Sequence, residues 1–178
     1  SITGKSNSMR RYFTKAIRLN EAEAVKALQQ CTLPLWSKKD LGRLFTRIGD
    51  ARIVMLGEAS HGTHEYYSWR AYISQKLIEE KGFQFIAVEG DWPDCYRLNR
   101  FIKGHDRKTE SAFQLLHAFR RWPTWMWANW EIVALAEWLH TYNAALPVNM
   151  RIGFYGLDVY SLWESMESIM QYLEKTDP

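Results

Sequence analysis

Cysteine is scarce in this chain: two in 178 residues, Cys31 and Cys95. They are far apart and lack the close pairing or histidine partners of a zinc ribbon or redox motif. That argues against a disulfide scaffold and leaves free buried thiols in a reducing compartment, so a cytoplasmic protein is expected. Long apolar runs are missing too. No stretch approaches the ~20 residues of a membrane span, and the first residues are polar and basic rather than those of a signal peptide. A soluble protein without a membrane partner is expected. Charge of one sign is also short: 23 Lys and Arg face 20 Asp and Glu, a formal net charge of +3, with no basic stripe interleaved with aromatics. Nothing here points to nucleic acid. There is no Gly-x-Ser-x-Gly elbow, P-loop or dinucleotide fingerprint, which removes the commonest routes to a serine hydrolase or nucleotide enzyme. Internal repeats and low-complexity segments are absent.

What is present suits a globular domain with a real core: 47% hydrophobic and 24% charged residues. Residues 1–8 (SITGKSNS) have nothing to bury and read as a flexible tail or expression remnant; residues 9–178 read as one domain. Aromatics reach 15%, with 9 Trp, and Trp122, Trp125, Trp127 and Trp130 crowd one short stretch. Side chains of that size build a core or line an apolar pocket, and the core is the commoner use.

Apolar periodicity predicts helices over 21–30, 37–48, 64–81, after Pro93 through Phe101, and over 111–120, 130–145 and 161–174. In the helix over 64–81, Thr63 is placed to cap, Glu65 opposes the helix dipole, and Tyr66, Trp69, Ile73 and Leu77 share one face. Three short apolar runs read as strands: 52–57, 83–88 and 151–155. Strand, helix, strand from 52 to 88 implies a right-handed parallel crossover. The expected fold class is α/β, three-layer, with a small parallel sheet flanked by helices. Three strands are few for so many helices, which suggests an incomplete part of a larger fold.

Each predicted strand ends on an acid, and ligands of open α/β sheets bind outside the carboxyl ends of the strands. Glu58 and His61 follow the first, Glu89 and Asp91 the second, Asp158 the third. His61 lies between a strand end and a helix start, where the helix dipole favours a neutral imidazole able to accept a proton. Glu58, on the same turn, can bond one ring nitrogen and fix the tautomer. Glu89 needs a cation, a donor or water, and Arg70 is the candidate cation. The bland alternatives are a capping or surface histidine and a structural ion pair. A divalent metal among Glu58, His61, Glu89, Asp91 and Asp158 is a second functional reading, a metal-dependent hydrolase, although the spacing has no metal signature. A third reading is a non-catalytic binding domain that keeps these acids for structure. His64 reads as a first-turn residue.

Gly57-Glu58-Ala59-Ser60-His61-Gly62, then Arg70, then Phe85-Ile86-Ala87-Val88-Glu89-Gly90-Asp91-Trp92, then Phe154-Tyr155-Gly156-Leu157-Asp158 resemble the erythromycin esterase family. The likeness runs from about residue 40 to about residue 166, and lies closer to the broad group of esterase-like relatives than to the antibiotic-resistance enzymes. It implies hydrolysis of a carboxylic ester or lactone by a histidine-activated water, with no metal and no cofactor required. His61 matches the motif histidine, and Glu58, Arg70 and Glu89 match the charged residues around it. Asp91, Trp92, Asp158 and His64 are expected to touch the small-molecule substrate. Members of the family are longer and carry further essential histidines downstream, so this chain is expected to correspond to an N-terminal part. The oligomeric state is not legible.

Overall fold

The computed structural model describes residues 20–105, 111–119, 124–158 and 162–176; the predicted tail, 1–8, and Trp122 lie outside them. The chain divides into two units, Ser1–Val54 and Met55–Pro178.

In the first unit, α1 (Glu21–Cys31) starts at a reciprocal cap: Asn20 Oδ1 accepts from Glu23 N–H at 2.9 Å and the Glu23 carboxylate accepts from Asn20 N–H. The helix predicted over 37–48 forms as two pieces, a 3-10 turn at Lys38–Leu41 followed by α2 (Gly42–Ile48), and Gly49 ends it at φ 50°. Asp40 folds back to accept the backbone N–H groups of Trp36 and Ser37, and those donors lower its carboxyl pKa. Cys31 is free, as expected, yet exposed rather than buried, because α1 buries no residue.

The second unit holds α3 (His64–Lys81), β1 (Phe85–Asp91), α4 (Trp92–Ile102), α5 (Ala112–His117), a 3-10 turn at Thr124–Met126, α6 (Trp130–Ala144), β2 (Gly153–Asp158) and α7 (Leu162–Thr176). Gly82 closes α3 in the left-handed region at φ 71°, as a C-terminal glycine should. The buried face of α3 is Tyr67, Ile73, Leu77 and Ile78, rotated slightly from the predicted one, and Tyr66 is exposed. Thr63 begins the helix without a side-chain capping bond; its hydroxyl lies 2.8 Å from the Ser60 hydroxyl instead.

Two of the three predicted strands form. β1 and β2 pair in parallel, Phe85 opposite Gly153 through Val88 opposite Gly156, with an irregularity before Asp91 meets Asp158. The first predicted strand, 52–57, carries no strand pairing among the described residues, and Ile53 and Met55 are exposed. The crossover predicted from it therefore does not form; the parallel connection runs instead from β1 through α4, α5 and α6 to β2. The physical reason is that apolar periodicity marks a segment able to pair, whereas pairing also needs a partner edge. The outcome is a small two-stranded parallel sheet flanked by helices.

The core lies on the sheet face carrying Val88 and Phe154, where Leu98, Phe101, Ile102, Leu116 and Leu139 pack. Two buried asparagines fasten β2. Asn143 donates to the carbonyls of Ile102 and Ile152 at 2.8 and 2.9 Å and accepts from Ile152 N–H at 2.7 Å, while Asn99 Oδ1 accepts from Phe154 N–H at 2.9 Å. Every polar atom of the Asn143 amide thus finds a backbone group that would otherwise be stranded.

Candidate functional site

The turn between residue 57 and α3 brings Glu58 and His61 together, and α3 delivers Arg70 from two turns along. His61 Nδ1 lies 2.5 Å from Glu58 Oε1, and Arg70 Nη1 donates to the other oxygen, Oε2. A carboxylate only accepts, so Nδ1 of His61 carries the proton and Nε2 is left as the basic nitrogen. The side chain of Glu58 is 10% exposed and that of His61 47%. The acid is sunk in the protein with the imidazole at its mouth.

The expected partnership of Arg70 with Glu89 gives way to Arg70 with Glu58. Glu89 is exposed and makes no ion pair among the described residues, so water solvates it. Glu58 is nearly enclosed, and a largely buried carboxylate needs its counter-charge close by. Glu89 joins the site through its backbone: its carbonyl accepts the Trp127 indole N–H at 2.7 Å. The Arg70 guanidinium lies over the rings of Tyr67, 5.1 Å from the centroid, and of Trp127, 5.7 Å away. These rings meet edge to face. The sequence marked Trp127 only as one of a cluster and passed over Tyr67. The available signal was spacing: Tyr67 stands three residues before Arg70 on one helix and must lie beside it.

The Tyr67 hydroxyl is buried close to the Gly62 backbone and the Glu58 carboxylate, without a well-formed hydrogen bond among the described residues. Burial first, then the nearby negative charge of Glu58, raises its pKa.

The remaining predicted residues form two further groups. His64 Nδ1 donates to Glu131 Oε1 at the start of α6, and Ser68 Oγ lies 3.4 Å from its Nε2. This second histidine and glutamate pair was not foreseen, since 67 residues separate the partners. Trp130, beside Glu131, is exposed and stacks on Phe113. Asp91 and Asp158 are register partners across the two strands. Both, with Asp94, add to the burial that pushes the Cys95 thiol up to about 12, so Cys95 stays protonated and is no nucleophile. One oxygen of Asp91 is buried without a hydrogen-bond partner. Trp92 stacks on Tyr96 and Tyr155. Among the described residues, no three His, Cys, Asp or Glu side chains are grouped to hold a metal ion, and no helix is long and apolar enough to cross a membrane.

A family model described as erythromycin esterase matches residues 78–178. Erythromycin esterase type II of Escherichia coli is 31% identical over 112 residues, 63% of this chain and 24% of that protein. Among solved structures, a Bacillus cereus protein is similar with a TM-score of 0.60 and 27% identity, covering 79% of this chain and 32% of its own. A protein described as a succinoglycan biosynthesis protein is similar with a TM-score of 0.61 and 29% identity, covering 80% of this chain and 34% of its own. The chain thus spans a quarter to a third of the length of these relatives.

Proposed function

The chain belongs to the erythromycin esterase family, and from that premise we propose that it carries the water-activating part of a hydrolase site that cleaves a carboxylic ester or lactone. The observation behind this reading is the relay of Arg70, Glu58 and His61, in which one carboxylate is shared between a guanidinium and an imidazole.

In the proposed reaction His61 Nε2 accepts a proton from water as the oxygen attacks the ester carbonyl. The tetrahedral intermediate then expels the alkoxide, which takes a proton back from the imidazolium. Glu58 holds the ring in the tautomer with Nδ1 protonated and stabilises the charge that appears on it, the role of the acid in a catalytic triad. Arg70 fixes the carboxylate so that only one oxygen faces the imidazole. Glu89 supplies charge at the rim. Asp91, Trp92, Asp158 and His64 are proposed substrate contacts, with the exposed aromatics offering an apolar wall to an acyl or polyketide group. Free cysteines support the cytoplasm as the compartment.

The test is hydrolysis of a panel of aryl esters and macrolide lactones by the chain and by His61→Ala, each checked for folding by circular dichroism. Loss of a general base costs about 10²- to 10⁴-fold in rate. Undiminished turnover by folded His61→Ala removes His61 from the mechanism. A chain inert to the whole panel and unshifted in melting temperature by any of its members favours a binding domain.

A further inference from the structure

Resting on the reading of His61 as the base, we propose that Trp127 is the positioning residue of this site. Among the described residues it makes no hydrogen bond to His61 or Glu58. It acts through Arg70.

Trp127 is buried and sits where three parts of the unit converge. Its indole N–H donates to the carbonyl of Glu89 at 2.7 Å, which ties it to the end of β1. One edge-to-face contact joins it to Tyr67 on α3 and another to Phe154 on β2, both with centroids 6.2 Å apart. Its ring carries the Arg70 guanidinium. An arginine side chain on a helix has many rotamers, and an ion pair alone leaves several of them open. Two aromatic faces restrict the guanidinium, because a cation is held over a ring only within a narrow range of placement. Arg70 so restrained presents Nη1 to Glu58 Oε2, which leaves Oε1 for His61 Nδ1.

The sequence around Trp127 is fitted to it. A methyl group at Gly90 would lie 3.2 Å from the indole nitrogen and 2.9 Å from Cys95 Sγ. The missing side chain at position 90 is what lets the indole reach the backbone of β1.

His61 has a readout independent of turnover, the tautomer of its ring, seen in long-range ¹H–¹⁵N correlation spectra of the imidazoles. His64 provides an internal reference, because its Nδ1 is held by Glu131 and not by the carboxylate that Arg70 fixes. In the wild-type chain both rings are expected with the proton on Nδ1. In Trp127→Phe, which loses the indole N–H and weakens the cation contact, His61 is expected to become a mixture of tautomers with at least a tenth on Nε2, His64 being unchanged. Leu139→Ala, a cavity in the core away from Arg70, is expected to lower the melting temperature without moving either ring. Should Trp127→Phe not fold, Gly90→Ala crowds the indole nitrogen as well as Cys95 Sγ and is expected to act on His61 in the same sense. The proposal is overturned if His61 keeps its wild-type signals in the folded variant, or if Leu139→Ala disturbs His61 equally. Either result leaves the esterase reading to stand or fall on the hydrolysis assay.

Discussion

His61 and Glu58 are joined by a bond of 2.5 Å between Nδ1 and Oε1, across a single turn. The pair is anchored from behind, and its energetics are set by how little water reaches the carboxylate.

Arg70→Gln is expected to destabilise the chain by about 2 kcal/mol, since the enclosed Glu58 loses a charged donor. Urea unfolding checks this. A change below about 0.5 kcal/mol would mean that water reaches the carboxylate well enough to replace the guanidinium.

Tyr67→Phe is expected to change stability by less than about 1 kcal/mol, because the deleted hydroxyl is buried without a well-formed hydrogen bond among the described residues. The ring contacts to Trp127 and Arg70 persist. A clear fall in melting temperature would show that the hydroxyl is bonded.

Asn143→Ala strands two carbonyls and an N–H in the core. A loss of roughly 3 kcal/mol or more is expected, read from the urea midpoint at unchanged slope. A loss under about 1 kcal/mol would mean that the strand start is held by other contacts.

Cys95 gives a pH dependence. Its thiol ionises near 9.0 when unfolded and is pushed up to about 12 in the fold, mainly by burial. The unfolded chain therefore sheds this proton first, and the contribution is whole below about pH 9 and is lost as pH rises toward 12. Three units correspond to roughly 4 kcal/mol. Alkaline unfolding of wild type against Cys95→Ala isolates the effect: the variant should lack that part of the decline. A thiol reagent at neutral pH should titrate one cysteine in the native chain, the exposed Cys31, and both in denaturant.

The sequence made the helices legible because their signals are local. Gly49 and Gly82 stop helices where expected, and His64–Lys81 forms over the predicted range. Glu58 and His61 were equally readable, since three residues of one turn decide whether they meet. Long-range choices were not. Nothing along residues 52–57 says whether an edge is there to receive them. Nor does the spacing of Arg70 say which of two glutamates is the more enclosed and so takes its charge. Glu131 and Trp127 come to the site from beyond β1 and α4, and no periodicity announces that arrival.

The parallel pair of β1 and β2 has only each other among the described residues. Outside the ladder, Phe154 N–H is bonded by Asn99 and the Glu89 carbonyl by Trp127, and a two-stranded edge satisfied only in part is a template for a foreign strand. With Ile53 and Met55 also open to water, concentrated solutions of the chain should cloud on standing, sooner with salting-out ions such as sulfate that strengthen apolar association.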